Sequence, residues 1–301
     1  MLTVGVVRSE QRMVRYVGTA PIAVLLQLGN GQIALAGWPN DWNRRPAALT
    51  LVQMPSEITV ERDGPVAVIT LGAPRRRNAL TVSMAEELCA ACDEIDADPS
   101  VGAVVVAAEG PYFCAGADRA LLAAAGEDPA APQNYGDLGR VYAAFSRVGA
   151  LEPPSIAAVC GGAVGAGLNL ALATDLRVVS EDATLTSGFL PIGLHPGGGH
   201  GALLGRATNR ETANAMQLFG ISLSGLEAVE AGLAWTAVPA DAVVPTAIDL
   251  ATAPAADPDL ARRTAASVRL VVGPPPLTWA AALHVERPAQ MWSLRRRNLV
   301  S

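Results

Sequence analysis

Two short turns of small residues carry the first chemical signal in the sequence. Phe113-Cys114-Ala115-Gly116-Ala117-Asp118 follows the apolar run at 101–108, and Gly161-Gly162-Ala163-Val164-Gly165-Ala166-Gly167 follows a second apolar run at 156–159. Small residues let a backbone approach a ligand closely. A helix N-terminus adds unpaired N–H donors and a partial positive charge. Two such donors converging from separate turns hold a developing oxyanion, and losing one costs about 3 kcal/mol of transition-state stabilisation. Either turn alone is also what the close packing of a helix on a strand requires.

Side chains able to move protons are few. Only three histidines occur, and two of them, His195 and His200, stand in Gly193-Leu194-His195-Pro196-Gly197-Gly198-Gly199-His200. Histidine titrates near neutrality and is the commonest general acid or base. His195 precedes proline, which favours an extended backbone there. His200 is expected in the first turn of the next helix, where the macrodipole favours the neutral ring. A structural histidine bonded to a carbonyl is the plain alternative. H-x4-H is also a metal spacing, but no third ligand is nearby, and no metal site is expected. Lysine is absent, so all 22 basic residues are arginine, and no Schiff base can form on a lysine. Arg75-Arg76-Arg77 is either a solvated loop cluster or a phosphate contact, for which arginine's planar fork is suited.

The elements that must position these groups follow from composition and pattern. The chain has 301 residues, 50% hydrophobic and 17% charged, with a net charge of −6. That is a globular composition for one large domain or two small ones, and it argues against a broad nucleic-acid surface. No apolar run reaches the eighteen or so residues of a membrane span. Four cysteines are too few for a disulfide scaffold. Cys89 and Cys92 fall within a helical pattern, and a reducing cytoplasm is expected.

Residues 1–53, broken by glycine and proline, read as a loosely ordered extension or the product of a misassigned start. Residues 54–301 carry regular punctuation. There, Ile58 to Glu61 and Val66 to Leu71 read as strands joined around Asp63-Gly64. Ser83 and Glu86 have capping-box spacing before a helix that buries Met84, Leu88, Ala91 and Ile95. Val101 to Ala108 reads as a buried strand, and Gly126 to Gly136 as a long turn-rich stretch before a helix through Val141 and Phe145. Further strands are expected at Ile156 to Val159 and Leu176 to Val179. Strands alternating with helices define an α/β fold.

In this order the motifs resemble the enoyl-CoA hydratase/isomerase, or crotonase, superfamily. The resemblance runs from about residue 56 to 270. It rests on Arg75-Arg76-Arg77-Asn78-Ala79-Leu80 and the A-G-A-D turn at 115–118. It rests also on Ile156 to Gly161 running on to Ala173-Thr174-Asp175, and on Ala228 to Leu233. It implies a spiral of ββα units with C-terminal helices, assembled as a homotrimer or a dimer of trimers. It implies an acyl-CoA substrate, with no cofactor beyond the coenzyme A of that thioester. The two oxyanion donors map onto the N–H groups of Ala117 and Ala166. Contacts to coenzyme A are expected from Arg75, Arg76, Arg77, Ala115, Ala117 and Asp118.

The catalytic positions depart from the pattern. The hydratase branch uses two glutamates, and the matching positions here hold Asn169 and Phe189. Neither transfers a proton at neutral pH. His195 and His200 are the expected replacements, with His195 facing the acyl end. Asp118 is expected to cap a helix and Asp175 to be structural. Glu127, Asp128, Tyr135 and Asp137 are further acids over the acyl pocket. A catalytically inactive acyl-CoA-binding homologue is the competing reading. A peptide hydrolase of related fold would need an activated serine beside a histidine. Ser187 lies eight residues before His195, and nothing in the sequence marks it as activated. Crotonyl-CoA hydration is expected to be absent or very slow. A turnover number in the ordinary range of about 1–1000 per second would refute that.

Overall fold

The computed structural model describes residues 56–128 and 131–273, together with the backbone of five strands before them. Those five are β1 (Val7–Ser9), β2 (Arg12–Arg15), β3 (Ala23–Gln27), β4 (Ile33–Gly37) and β5 (Thr50–Val52). They pair antiparallel in sequential order, within a unit spanning Met1–Ser56. The expected extension 1–53 falls within this unit, of which these strands alone are described.

In the second unit, β6 (Ile58–Asp63) and β7 (Val66–Leu71) form the expected hairpin. A 3-10 turn at Pro74–Arg76 and helix α1 (Val82–Ala97) follow. Next come β8 (Ala103–Ala108) and β9 (Tyr112–Cys114), then α2 (Arg119–Glu127) and α3 (Pro132–Gly149). A third turn of the spiral is β10 (Ser155–Val159), β11 (Gly162–Val164) and α4 (Ala166–Ala173). A fourth is β12 (Leu176–Ser180), β13 (Thr184–Thr186), α5 (His200–Ala207) and α6 (Arg210–Leu218). The last described elements are β14 (Leu223–Ser224), α7 (Gly225–Glu230), β15 (Thr236–Val238), α8 (Val243–Ala255) and α9 (Pro258–Val272).

Two sheets result. The longer strands lie in the order β15-β12-β10-β8-β7-β6, parallel except for the opening hairpin. The shorter ones lie in the order β14-β13-β11-β9. Each of β8, β10 and β12 is followed within a few residues by a short strand of the other sheet. The chain is thus the expected α/β spiral of ββα units. Strand β8 is paired on both sides and packed on both faces, which explains its unbroken A-V-V-V-A-A sequence. One face packs against α1, α3 and α4 through residues such as Leu88, Phe145 and Leu170. The other packs on α8 through Val243, Ala247, Ala251 and Ala255, one residue per helical turn. No helix among the described residues is long and apolar enough to cross a membrane. All four cysteines are unpaired, and Cys92 is buried in the core on α1.

Three local expectations are corrected. The cap of α1 is Thr81, whose side chain accepts from Met84 N–H at 3.2 Å. Ser83 lies inside the helix and donates to Glu87 instead. The stretch 126–136 is largely helical, because Pro132 opens α3 at the position where a missing N–H costs nothing. Both glycine turns contain short strands, β9 and β11, and three-residue strands carry no periodic signal.

The last described helix closes the other end of α1. Arg262 on α9 donates to the carbonyls of Ile95, Asp96, Asp98 and Val101 at 2.7–3.2 Å, and pairs with Glu152 at 2.6 Å. Ile95 and Asp96 belong to the last turn of α1, whose carbonyls lack a partner four residues further on.

Helix α4 crosses β9 in direct backbone contact. A Cβ on Gly167 would collide with the Cys114 carbonyl oxygen. Alanine usually gains about 1 kcal/mol over glycine inside a helix. Here the obstacle is backbone, which cannot swing aside. Gly167→Ala is expected to destabilise by about 1–3 kcal/mol, the usual overpacking cost. Chemical denaturation of the second unit checks this, with a lower midpoint expected.

Candidate active site

The pairing of β9 with β11 brings the two small-residue turns together, with Ala163 opposite Cys114. Gly116 has a φ of 97°. A side chain there would begin 2.9 Å from Val164 O and 3.6 Å from Ala166 N. The 115–118 turn therefore lies directly against the start of α4, and only glycine fits at their contact. Leu80 holds the first turn from its other side. Its N–H donates to Gly116 O at 2.7 Å, and its carbonyl accepts from Asp118 N–H at 2.9 Å. Successive backbone groups in an extended segment alternate sides, so the Ala117 N–H points away from Leu80. Ala166 is the first residue of α4, and Gly165 before it supplies no side-chain cap. Its N–H is one of the donors a helix start leaves open.

Beside this contact lies a cavity of about 380 Å³, lined by Arg75, Arg76, Arg77 and Arg119 together with Ala115, Ala117 and Asp118. Asn78 fixes the arginine loop. It is fully buried, accepts from Ala73 N–H at 2.8 Å, and donates to the carbonyls of Glu109 and Tyr112 at 2.9 and 2.8 Å. The three expected arginines have different fates. Arg76 is spent on a bidentate pair with Glu57, and its Nε donates to Ala79 O. Arg77 stacks 4.8 Å above the Tyr112 ring, and Arg75 is exposed. Arg119, which the sequence did not single out, joins them because it opens α2 directly after the 115–118 turn. Asp118 caps α2, accepting from Ala120 and Leu121 N–H.

The histidines separate. His195 is exposed, and its Nδ1 donates to Pro196 O at 2.7 Å. The loop leaves His195 at the surface and carries His200 inward. His200 opens α5, as expected, and is buried. Its Nδ1 lies 2.6 Å from Asn169 Oδ1, and its Nε2 lies 2.7 Å from Ser187 Oγ. Asn169 Nδ2 donates to Gly197 O at 3.1 Å.

That last bond sets every proton in the chain. A carbonyl only accepts, so the Asn169 amide must present NH2 to Gly197 and its oxygen to His200. The His200 Nδ1 therefore carries the hydrogen, and Nε2 is left as an acceptor for the Ser187 hydroxyl. Burial pushes the His200 pKa down to about 4, so the ring is neutral at pH 7. The Phe189 ring meets it edge-on at 5.0 Å. Tyr142 on α3 takes the Gly198 N–H and steadies the loop between.

Thus Asn169, at a position where the resemblance led one to look for a glutamate, orients a histidine, and Phe189 covers it. Ser187 is paired with His200, thirteen residues on, rather than with His195. No local spacing announces that pairing, because an irregular glycine-rich loop makes it. The other acids stay apart. Glu127, Asp128 and Tyr135 are exposed, and Asp137 bonds Gln133 and Arg140. Asp175 binds Ser155 and Arg269 across the sheet end. Despite burial, these bonds hold its carboxyl below the usual range.

The fold and these turns define a class, and comparison with known proteins agrees. Residues 61–271 match the family described as Enoyl-CoA hydratase/isomerase, and the chain belongs to that family. Among curated relatives, "Probable enoyl-CoA hydratase EchA14" of Mycobacterium tuberculosis is 44% identical over 213 residues, covering 70% of this chain and 81% of the relative. "Enoyl-CoA hydratase EchA19" of the same organism is 32% identical over 219 residues, covering 71% and 80%. Among solved structures, an enoyl-CoA hydratase from a Polaromonas species superposes with a TM-score of 0.74 at 26% identity, covering 80% of this chain and 93% of that one. One from Mycobacterium smegmatis gives a TM-score of 0.72 at 27% identity, covering 79% and 91%.

A pH dependence follows from the buried ring. Its pKa falls from 6.5 to about 4 on folding. The folded state thus binds fewer protons than the unfolded chain between those values. The stability is complete above pH 6.5 and is lost as the pH falls through 4. At about 1.4 kcal/mol per unit the loss is roughly 3 kcal/mol. His200→Gln is expected to remove this component, as denaturation curves of both proteins between pH 7 and 4 will report.

Proposed function

We propose that the protein binds an acyl-coenzyme A thioester and stabilises an oxyanion or enolate formed from it. The observation that carries this reading is the contact between the 115–118 turn and the start of α4, the segments that bear the Ala117 and Ala166 N–H groups, beside an arginine-lined cavity. The thioester oxygen lies between the two N–H groups. The coenzyme A phosphates lie against Arg75, Arg77 and Arg119, while Arg76 holds the loop through Glu57. His200, neutral and hydrogen-bonded from below, is the acid–base group of the acyl end in place of the two glutamates. Leu218, Phe219 and Ile221 stand exposed at the end of α6 and just beyond it. That apolar run suits the trimeric self-assembly implied by the family.

The test is calorimetric affinity for CoA esters, with exchange of α-protons in heavy water as the readout of enolate formation. Arg75→Ala and Arg77→Ala are each expected to weaken binding roughly tenfold, the equivalent of about one charge-assisted hydrogen bond. His200→Gln is expected to lower turnover by about 100- to 10,000-fold with little change in affinity. Tight binding of several esters with no turnover or exchange of any would instead favour an acyl-CoA-binding homologue without catalysis.

A further inference from the structure

The cluster behind the oxyanion turns has the parts of a nucleophilic site. Ser187 Oγ, His200 Nε2 and Nδ1, and Asn169 Oδ1 form one unbroken line of hydrogen bonds, ended by the Gly197 carbonyl. The protons in that line run in one sense only, with Ser187 donating to an unprotonated ring nitrogen. A serine so placed is the arrangement in which a hydroxyl is activated by a base and the base is held by a third group.

Its position relative to the turns is equally specific. Thr186, the last residue of β13, pairs with Val164 and accepts from Gly165 N–H at 3.1 Å. Ser187 comes next in the chain, and its carbonyl oxygen lies 3.5 Å from where a Cβ on Gly165 would stand. Gly165 immediately precedes Ala166. Asn169 lies three residues further along α4, on the face that Ala166 opens. Nucleophile, base, orienting amide and oxyanion donor therefore come from the end of β13, the start of α5 and the first turn of α4.

We propose that Ser187 is a nucleophile and that the protein hydrolyses its acyl-CoA thioester through an acyl-serine. This rests on the acyl-CoA reading above and names the reaction at that same site. Ser187 Oγ bonds the thioester carbonyl carbon as its proton passes to His200 Nε2. The oxyanion rests against the Ala117 and Ala166 N–H groups. Collapse breaks the carbon–sulfur bond, and the proton on Nε2 passes to sulfur, releasing the coenzyme A thiol. Water then adds to the acyl ester, giving a proton to Nε2. The carbon–Oγ bond breaks, the serine recovers its proton, and the acid leaves. Water is the sole co-reactant, and nothing is oxidised or reduced. A thioester suits this line better than an amide does. Asn169 orients the ring but carries no charge to stabilise an imidazolium, and a thiol leaves more readily than an amine.

The experiment uses the full chain with acetyl-, crotonyl- and hexanoyl-CoA, followed by thiol release and intact mass. A fluorophosphonate serves as an independent serine probe. Thiol release falling at least 100-fold in Ser187→Ala, with a fluorophosphonate adduct on the Ser187 peptide that is lost in His200→Gln, is the expected result. Calorimetric binding of the same esters to Ser187→Ala shows that the variant is folded. Thiol release unchanged in Ser187→Ala overturns the proposal, as does the absence of both release and adduct. Exchange of α-protons by the unmutated chain with neither thiol release nor adduct overturns the nucleophile alone and leaves the acyl-CoA reading standing. Failure of every ester to bind, with no adduct, removes both.

Discussion

The first turn of α4 lies on the Cys114 carbonyl with no side chain between them, and the placement of every functional group depends on that approach. Gly167 makes it possible from the helix side and Gly116 from the turn side. With the two backbones in contact, Ala166 N lies 3.6 Å from where a Cβ on Gly116 would stand. The helix also carries Asn169 to the point where α5 begins. A few ångströms of extra separation would leave the same residues in place and the turn and the helix start out of contact. The geometry is thus set by main chain and rigid packing rather than by long side chains, which is how a polar constellation is kept ready without reorganisation.

Around this contact the charges are sorted by partner. Arg76 is held by Glu57 and Arg269 by Asp175, each pair tying distant segments of chain together. Arg75 and Arg77 lie on the same loop but have no carboxylate partner among the described residues. One short run of like residues therefore supplies both the fastening of the loop and its cationic face. The buried histidine is treated in the opposite way. It is kept uncharged, and its two nitrogens are distinguished by an amide whose own orientation is fixed by a carbonyl.

The sequence made the larger outline legible and left the inner connections hidden. Strand β8 announces itself by an unbroken apolar run, and the helix face of Met84, Leu88, Ala91 and Ile95 by its period, because both patterns express burial on a regular lattice. The two turns were visible for a similar reason, since only small residues tolerate such contact. The strands β9, β11 and β13 were not visible, being too short for any periodicity. Thr81 and Ser83 can both cap, and which one does depends on where the chain leaves its 3-10 turn. The different burial of His195 and His200 has the same origin. Neighbouring residues in an irregular glycine loop face opposite ways, and no spacing rule applies there. Arg76 could not be told from its neighbours, since its partner Glu57 lies on an earlier strand.

Arg262 reaches back 164 residues to Asp98, and its guanidinium closes the carbonyl end of α1. On a ribosome, chain emerges from its N-terminus at about 5–20 residues per second. The last turn of α1 therefore waits many seconds for its guanidinium, until α9 exists. Helix α1 cannot acquire its final end until nearly all of the second unit has been made. Completion of this fold is a late, chain-length-dependent event, and a polypeptide stopped short of α9 carries an N-terminal helix with an open end.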